Sequence, residues 1–349
     1  MAVAEGQGQP AVSGVVKIEK TARGESLWMD SWRRLRRNRA AVLGAIIILI
    51  NIFVAIFAEQ IAPRSFSQQV LVDNNAAPLW VTRLFPSMIP RGEVGGYITI
   101  SDEYLLGADN LGRDLFSRII FGARVSLAVA FVGPLVSIIV GLTVGMLAGY
   151  AGGRVDNFLM RVVDLMYAFP TILFIILLMA FFRTGFVARE PGTLAYTLGQ
   201  IDSAMGGMFF IFIGIGLTSW MGMARLVRGQ VLSVREKEYI EAARSLGTSN
   251  RAIMLRHILP NILGPLIIAE TLTIPTYISY EAFLSFIGLG VNPPTPSWGA
   301  MISEGSRVIA SYPNQALFPA FALFMVMFAF NFLGDGLRDA LDPRMRGID

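Results

Sequence analysis

Six apolar blocks, each near the roughly 20 residues needed to cross a bilayer, constrain this chain more than any other feature. They run from Ala40 to Ala58, Val125 to Gly149, Val162 to Phe182, Met208 to Leu226, Ile262 to Leu289 and Leu317 to Leu333. Hydrocarbon offers no water to free N–H and C=O groups, so such blocks close their own hydrogen bonds as helices. The expected fold class is therefore all-α, a polytopic membrane protein with six transmembrane helices. Composition agrees: 54% of the 349 residues are hydrophobic and 15% are charged, against about 25% charged in soluble domains.

Arginine placement orients the spans. The stretch WRRLRRNR, Trp32 to Arg39, stands directly before the first block, with no small-residue cleavage site, and so reads as the basic inner end of an uncleaved span. Arg154 and Arg161 lie between spans two and three; Arg225, Arg228, Arg235, Lys237, Arg244, Arg251 and Arg256 crowd the loop between spans four and five. Arg338, Arg344 and Arg346 follow span six, whereas the loops after spans three and five hold Arg183, Arg189 and Arg307. Both termini are expected in the cytoplasm, with the chain in the cell (cytoplasmic or inner) membrane.

The expected organisation follows. Residues 1–30, without periodicity, form a disordered cytoplasmic tail; 31–80 carry the first span; 81–124 form an extracytoplasmic segment; 125–337 form a transmembrane core with a cytoplasmic loop at 227–261; and 338–349 form a second tail. Within the outer segment, Asp109–Arg124 sets Leu111, Leu115, Phe116, Ile119 and Ile120 opposite Arg113, Asp114, Ser117 and Arg118. That spacing predicts an amphipathic helix at the outer interface, or else a soluble docking element.

Much chemistry is excluded. No G-x-x-x-x-G-K-[ST] occurs, and the lysines, Lys17, Lys20 and Lys237, do not follow glycine, so no P-loop binds ATP here. With no cysteine, one histidine (His257) and no H-E-x-x-H, neither a metal site nor a catalytic set is expected. No cofactor and no nucleic-acid partner are expected either.

Inside the spans, Gly141, Gly145 and Gly149 recur every four residues and predict a face for close helix packing. Prolines 134, 170, 265, 275 and 319 predict bent helices. Intramembrane carboxylates are functional candidates by default. Glu270 and Glu281 fall within about 20° of one face of span five and roughly 16 Å apart, too far to share a metal ion but placed to line a polar passage or a helix interface. Asp164 and Asp335 sit at span ends, where water solvates them.

The loop between spans four and five contains YIEAARSLGTSNRAIMLRHILP. Ser233 and Glu236 form a helix-start pair before an apolar stripe of Tyr239, Ile240, Ala243 and Leu246; Gly247 stops that helix. Thr248 or Ser249 caps a second helix that runs to Pro260 and leads into span five. Small Ala242 and Ala243 allow close approach. Periodicity alone leaves open a hairpin resting on lipid headgroups.

Glu241-Ala242-Ala243, three residues, Gly247, nine residues and His257-Ile258-Leu259-Pro260 together resemble the EAA loop of permease subunits in ATP-binding-cassette (ABC) importers. The general pattern has isoleucine where His257 stands; HILPN is similar to the peptide-importer branch. LGADNLGRDLFSRIIFGARVSL, MRVVDLMYAFP, EAFLSFIGLGV, PSWGAMI and GDGLRDALDPR extend the resemblance, in order, from about Leu106 to Arg344, to the C-type permease of dipeptide, oligopeptide and nickel importers.

The resemblance implies a type I ABC importer permease fold, with Glu241, Ala242, Ala243, Gly247, His257, Leu259 and Pro260 coupling to an ATPase. It also implies the partners: a second, usually non-identical permease, two cytoplasmic ABC ATPases and an extracytoplasmic solute-binding protein. The expected function is a non-catalytic subunit forming half of a path for di- and oligopeptides or similar solutes. The alternative is an ion-gradient-driven secondary transporter, for which Glu270 is thin support.

Overall fold

Asn38 divides the first basic stretch into two helices with different solvents. The computed structural model describes residues 27–186 and 192–341. Most of the expected 1–30 tail, as well as Arg189, Arg344 and Arg346, lies outside the described residues. Helix α1 (Leu27–Arg37) leaves Met29 and Trp32 exposed beside its arginines; the Asn38 side chain then accepts from the Ala41 N–H at 3.1 Å and starts α2 (Arg39–Ile56). Leu43, Leu49 and Phe53 on α2 are exposed, as lipid-facing residues should be. The amphipathic α1 went unrecognised in the sequence, where WRRLRRNR read as the basic inner end of the first span.

Among the described residues five helices are long and apolar enough to cross a membrane: α2, α3 (Leu115–Ala151), α7 (Met208–Arg235), α9 (Asn250–Phe286) and α11 (Pro313–Leu341). A bent pair, α4 (Gly153–Tyr167) and α5 (Thr171–Phe186), turning by 78°, makes a sixth when counted as one span. The uniform block from Val162 to Phe182 therefore contains a corner at Ala168–Pro170, where the proline ring and missing N–H end the helix before it. Pro134 does not break α3; a π turn at Ser137–Gly141 follows it and absorbs the register change. Shorter helices, α6 (Leu194–Ala204), α8 (Glu238–Ser245) and α10 (Trp298–Ser306), join the spans.

Glycines set the closest approaches. A Cβ on Gly141, Gly145 or Gly149 would lie 2.6 Å from Met223 Cβ, 2.5 Å from the Ala224 carbonyl oxygen or 2.8 Å from Val231 Cβ, so the predicted face of α3 is pressed against α7. On α2, Gly44 plays the same part against α11, where a Cβ would meet the Ala329 oxygen at 2.5 Å.

The segment 58–114 forms a cap of short helices, turns and isolated bridges, with Ala77, Val81, Met88 and Ile98 packed beneath Tyr312 and Phe318. Arg64 ties it together by donating to Glu103 at 2.5 Å and to the Tyr104 hydroxyl at 3.2 Å. Burial, and then the hydrogen bond to Asp73, push the Tyr104 phenol up to about 12, keeping it a donor.

Asp109–Arg124 is not one amphipathic helix at an interface. Residues 109–114 are loop, α3 begins at Leu115, and the supposed solvent face is buried. Charge pairing is the reason. Arg113 donates to Asp109 at 2.6 Å, Arg118 pairs with the same carboxylate, and both arginines reach Glu304 of α10, at 3.2 and 2.9 Å. Asp114 caps α3 by accepting from the Ser117 N–H at 2.8 Å and its hydroxyl at 2.6 Å. Asp114→Ala is expected to cost about 1–2 kcal/mol, read as faster amide exchange at Leu115–Ser117 and a melting point lower by a few degrees.

Candidate functional site

The chain leaves α7 at Arg235 and enters α8 after only Glu236 and Lys237. Ser233 therefore lies inside α7 and starts no helix: the residues that would form the helix-start pair straddle the end of a longer span. α8 carries Glu238 and Glu241 in its first turn and Arg244 in its last, matching the helix dipole at both ends.

The expected single stripe on α8 is two faces. Ile240 and Ala243 point inward, where Ile240 joins Val227, Val231, Ile253, Ile258 and Ile262 in a cluster at the foot of α7 and α9. Tyr239, Ala242 and Leu246, spaced i, i+3 and i+7, point outward; Tyr239 is 44% exposed and Leu246 86%. Ala242 is thus open to a partner, whereas Ala243 is spent on the protein's own core.

Gly247 ends α8 as the sequence indicates. Its φ is +77°, its N–H donates to the Arg244 carbonyl at 3.0 Å, and the Thr248 N–H reaches Ala243 at 3.1 Å, which is a Schellman closure. Ser249, rather than Thr248, caps the next helix by accepting from Ala252 at 3.4 Å. That helix leads through Pro260 into the fifth span, as the sequence indicates. It is the start of α9, continuous through a π turn at Ile253–Ile258 that contains His257 and precedes Leu259 and Pro260, where the proline disturbs the regular bonding.

Polar ties lock the feet of this loop to α3 and α4. Arg235 donates to the Gly149 carbonyl at 2.8 Å, Tyr150 to Asn250 at 2.7 Å, and Arg228 to both oxygens of Asp156 at 2.5 and 2.6 Å. Arg225 pairs with Asp164 at 2.5 Å while lying over the Tyr167 ring. These partners were missed in the sequence because they are far apart in the chain, and the arginines carried only an orientation signal. Asp164 and Asp335 are exposed, as expected at span ends.

The two intramembrane carboxylates both face α3. Glu270, 5% exposed, accepts from the Tyr277 hydroxyl at 2.9 Å and the Ser137 hydroxyl at 3.0 Å; it borders a cavity of about 230 Å³. Glu281 is wholly buried and accepts from Ser285 at 2.7 Å and Ser126 at 3.5 Å. Among the described residues no three of His, Cys, Asp or Glu gather to hold a metal ion.

A multi-span helical bundle that presents a short amphipathic helix, with an exposed apolar stripe, between two spans has the architecture of a membrane permease subunit. The chain belongs to the family of binding-protein-dependent transport system inner membrane components, the permeases of ABC importers, which it matches over residues 141–347. Residues 26–78 match the N-terminal transmembrane domain of oligopeptide transport permease C.

The oligopeptide transport system permease protein OppC of Bacillus subtilis is 36% identical over 339 residues, covering 97% of each chain. OppC of Escherichia coli K12 is 40% identical over 323 residues, covering 93% of each. In fold, the chain resembles an inward-facing form of the MetNI methionine ABC transporter, with a TM-score of 0.51 and 19% identity over 65% of this chain and 98% of that one. Membership places the protein in the inner membrane, working with ATPase and substrate-binding partners, and sets aside the ion-gradient-driven reading.

Proposed function

We propose that this chain forms half of the path by which di- and oligopeptides or similar solutes are imported, itself without catalytic activity. It pairs with a second, non-identical permease, and both of its termini face the cytoplasm. The oligopeptide permeases it resembles support the cargo class. Two cytoplasmic ATPases drive the cycle through α8.

The observation that carries this reading is the outward stripe of Tyr239, Ala242 and Leu246, apolar surface left uncovered on a helix joining two spans. Glu241 flanks the stripe as a charged rim, Ala242 lets an ATPase groove come close, and Gly247 turns the chain back. Ala243 supports the helix from within, while His257, Leu259 and Pro260 form the foot through which α8 moves α9. Glu281 serves the helix interface.

Reconstitution with the cognate permease, ATPases and solute-binding protein in liposomes tests the proposal. Uptake of a labelled peptide is expected to require ATP on the α8 side and to persist when ion gradients are collapsed. Gradient-driven uptake without ATP would overturn it.

A further inference from the structure

We infer that Glu270 and the hydroxyls around it form a recognition site, within the membrane, for one cationic group of the solute, an ammonium above all. The inference rests on the import reading and adds the chemistry that the route selects.

The site is built rather than incidental. The π turn after Pro134 places Ser137 beside one oxygen of Glu270, 3.0 Å away. The Tyr277 ring is seated against Gly133, where a Cβ would stand 2.6 Å from its Cδ2, and its hydroxyl donates to the other oxygen at 2.9 Å. Each carboxylate oxygen thus has one hydroxyl donor, while an ionised carboxylate has about four acceptor positions. No ion pair to Glu270 occurs among the described residues, although a buried carboxylate without a counter-charge is costly.

The polarity of the wall specifies the ligand. Ser219 turns its proton to the Gly216 carbonyl at 3.3 Å, Thr273 turns its own to Ala269 at 2.8 Å, and Tyr277 spends its proton on Glu270. These hydroxyls, with that of Ser137, share the cavity wall with apolar Met223, Leu226 and Ala269. An anion would meet the Glu270 carboxylate and no cationic side chain in that lining. An ammonium, which carries three donors and no acceptor, fits both the lone pairs and the charge. The enclosure of about 230 Å³ admits the end of a solute rather than a whole oligopeptide.

The chain contains no cysteine, so Thr273→Cys gives a single reporter on the cavity wall. In the full importer, reconstituted without ATP and read on this chain by mass spectrometry, a cationic methanethiosulfonate is expected to label it about tenfold faster than an anionic one. The reference is the same rate ratio at Ser67→Cys on the exposed outer segment. Glu270→Gln should return the ratio to the reference, Glu270→Asp should retain it, and methylammonium, but not acetate, should slow labelling.

A ratio indifferent to Glu270→Gln, or failure of a neutral reagent to reach Thr273→Cys, would overturn the site. Should Glu270→Gln not fold, protection by methylammonium in the Thr273→Cys chain alone decides. Labelling needs neither ATP nor transport, so failure of the site and failure of the import reading are told apart.

Discussion

Leu246→Asp should release the ATPase subunits and leave the membrane bundle intact. Leu246 is 86% exposed, so its own fold gains little from it. A leucine buried in a partner's groove contributes roughly 1.5–3 kcal/mol, and an aspartate there adds the cost of an unpaired buried charge. Truncated interface anchors lose about 2–4 kcal/mol, or some 30- to 1000-fold in affinity. ATPase recovered with the purified subunit, and ATP-driven uptake, should each fall by roughly 100-fold, with the melting temperature unchanged. Ile240→Asp is the counterpart: it places a carboxylate in the inner cluster and should unfold the loop itself. Gly247→Val should act more weakly, because a Cβ there meets nothing within 4 Å and the penalty is only the φ of +77°, about 1–2 kcal/mol. Full ATPase recovery with Leu246→Asp would remove α8 from the docking surface.

The contrast between Leu246 and Ile240 also shows what can be read from the chain. Spacing marked both as apolar helix positions, and Gly247 marked the stop, because those signals are local. Which apolar position faces inward depends on Val227, Val231, Ile258 and Ile262, supplied by two spans whose angle no local pattern encodes. Glu270 and Glu281 were legible as a pair on one face because α9 keeps its helical register through Pro275. Their hydroxyl partners on α3 were not, since the π turn that places Ser137 has no hydropathy signature. The failure at Asp109–Arg124 has the same origin: Arg113 and Arg118 imply solvent until Glu304, far along the chain, supplies the charge that lets them be buried. Pro170 did mark the bend between α4 and α5, but its size was not legible, because a corner made with apolar residues changes direction without changing polarity.

Gly145→Leu is expected to cost on the order of 3 kcal/mol or more, and to lower the melting temperature in detergent by about 5–10 °C. Even the first carbon would lie 2.5 Å from the Ala224 carbonyl oxygen and 2.6 Å from Val227 Cβ. The first of these is backbone of α7 and cannot rotate away, so α3 and α7 must separate along their whole glycine face. Gly229→Ala, on the exposed side of the same α7, controls for helix propensity: nothing lies within 4 Å of it, and the change should stabilise by up to about 1 kcal/mol. The consequence for transport follows from what the two helices carry. α3 holds Ser137 against Glu270, and α7 leads into α8, with Arg235 bonded back to Gly149 at the end of the same interface. Separation at Gly145 would therefore slacken a close-packed link between the docking helix and the carboxylate cavity. ATP hydrolysis should then continue with less uptake per cycle. A Gly145→Leu chain that melts and transports like the parent would show instead that α8 moves α9 directly, through the π turn at Ile253–Ile258, without help from α3.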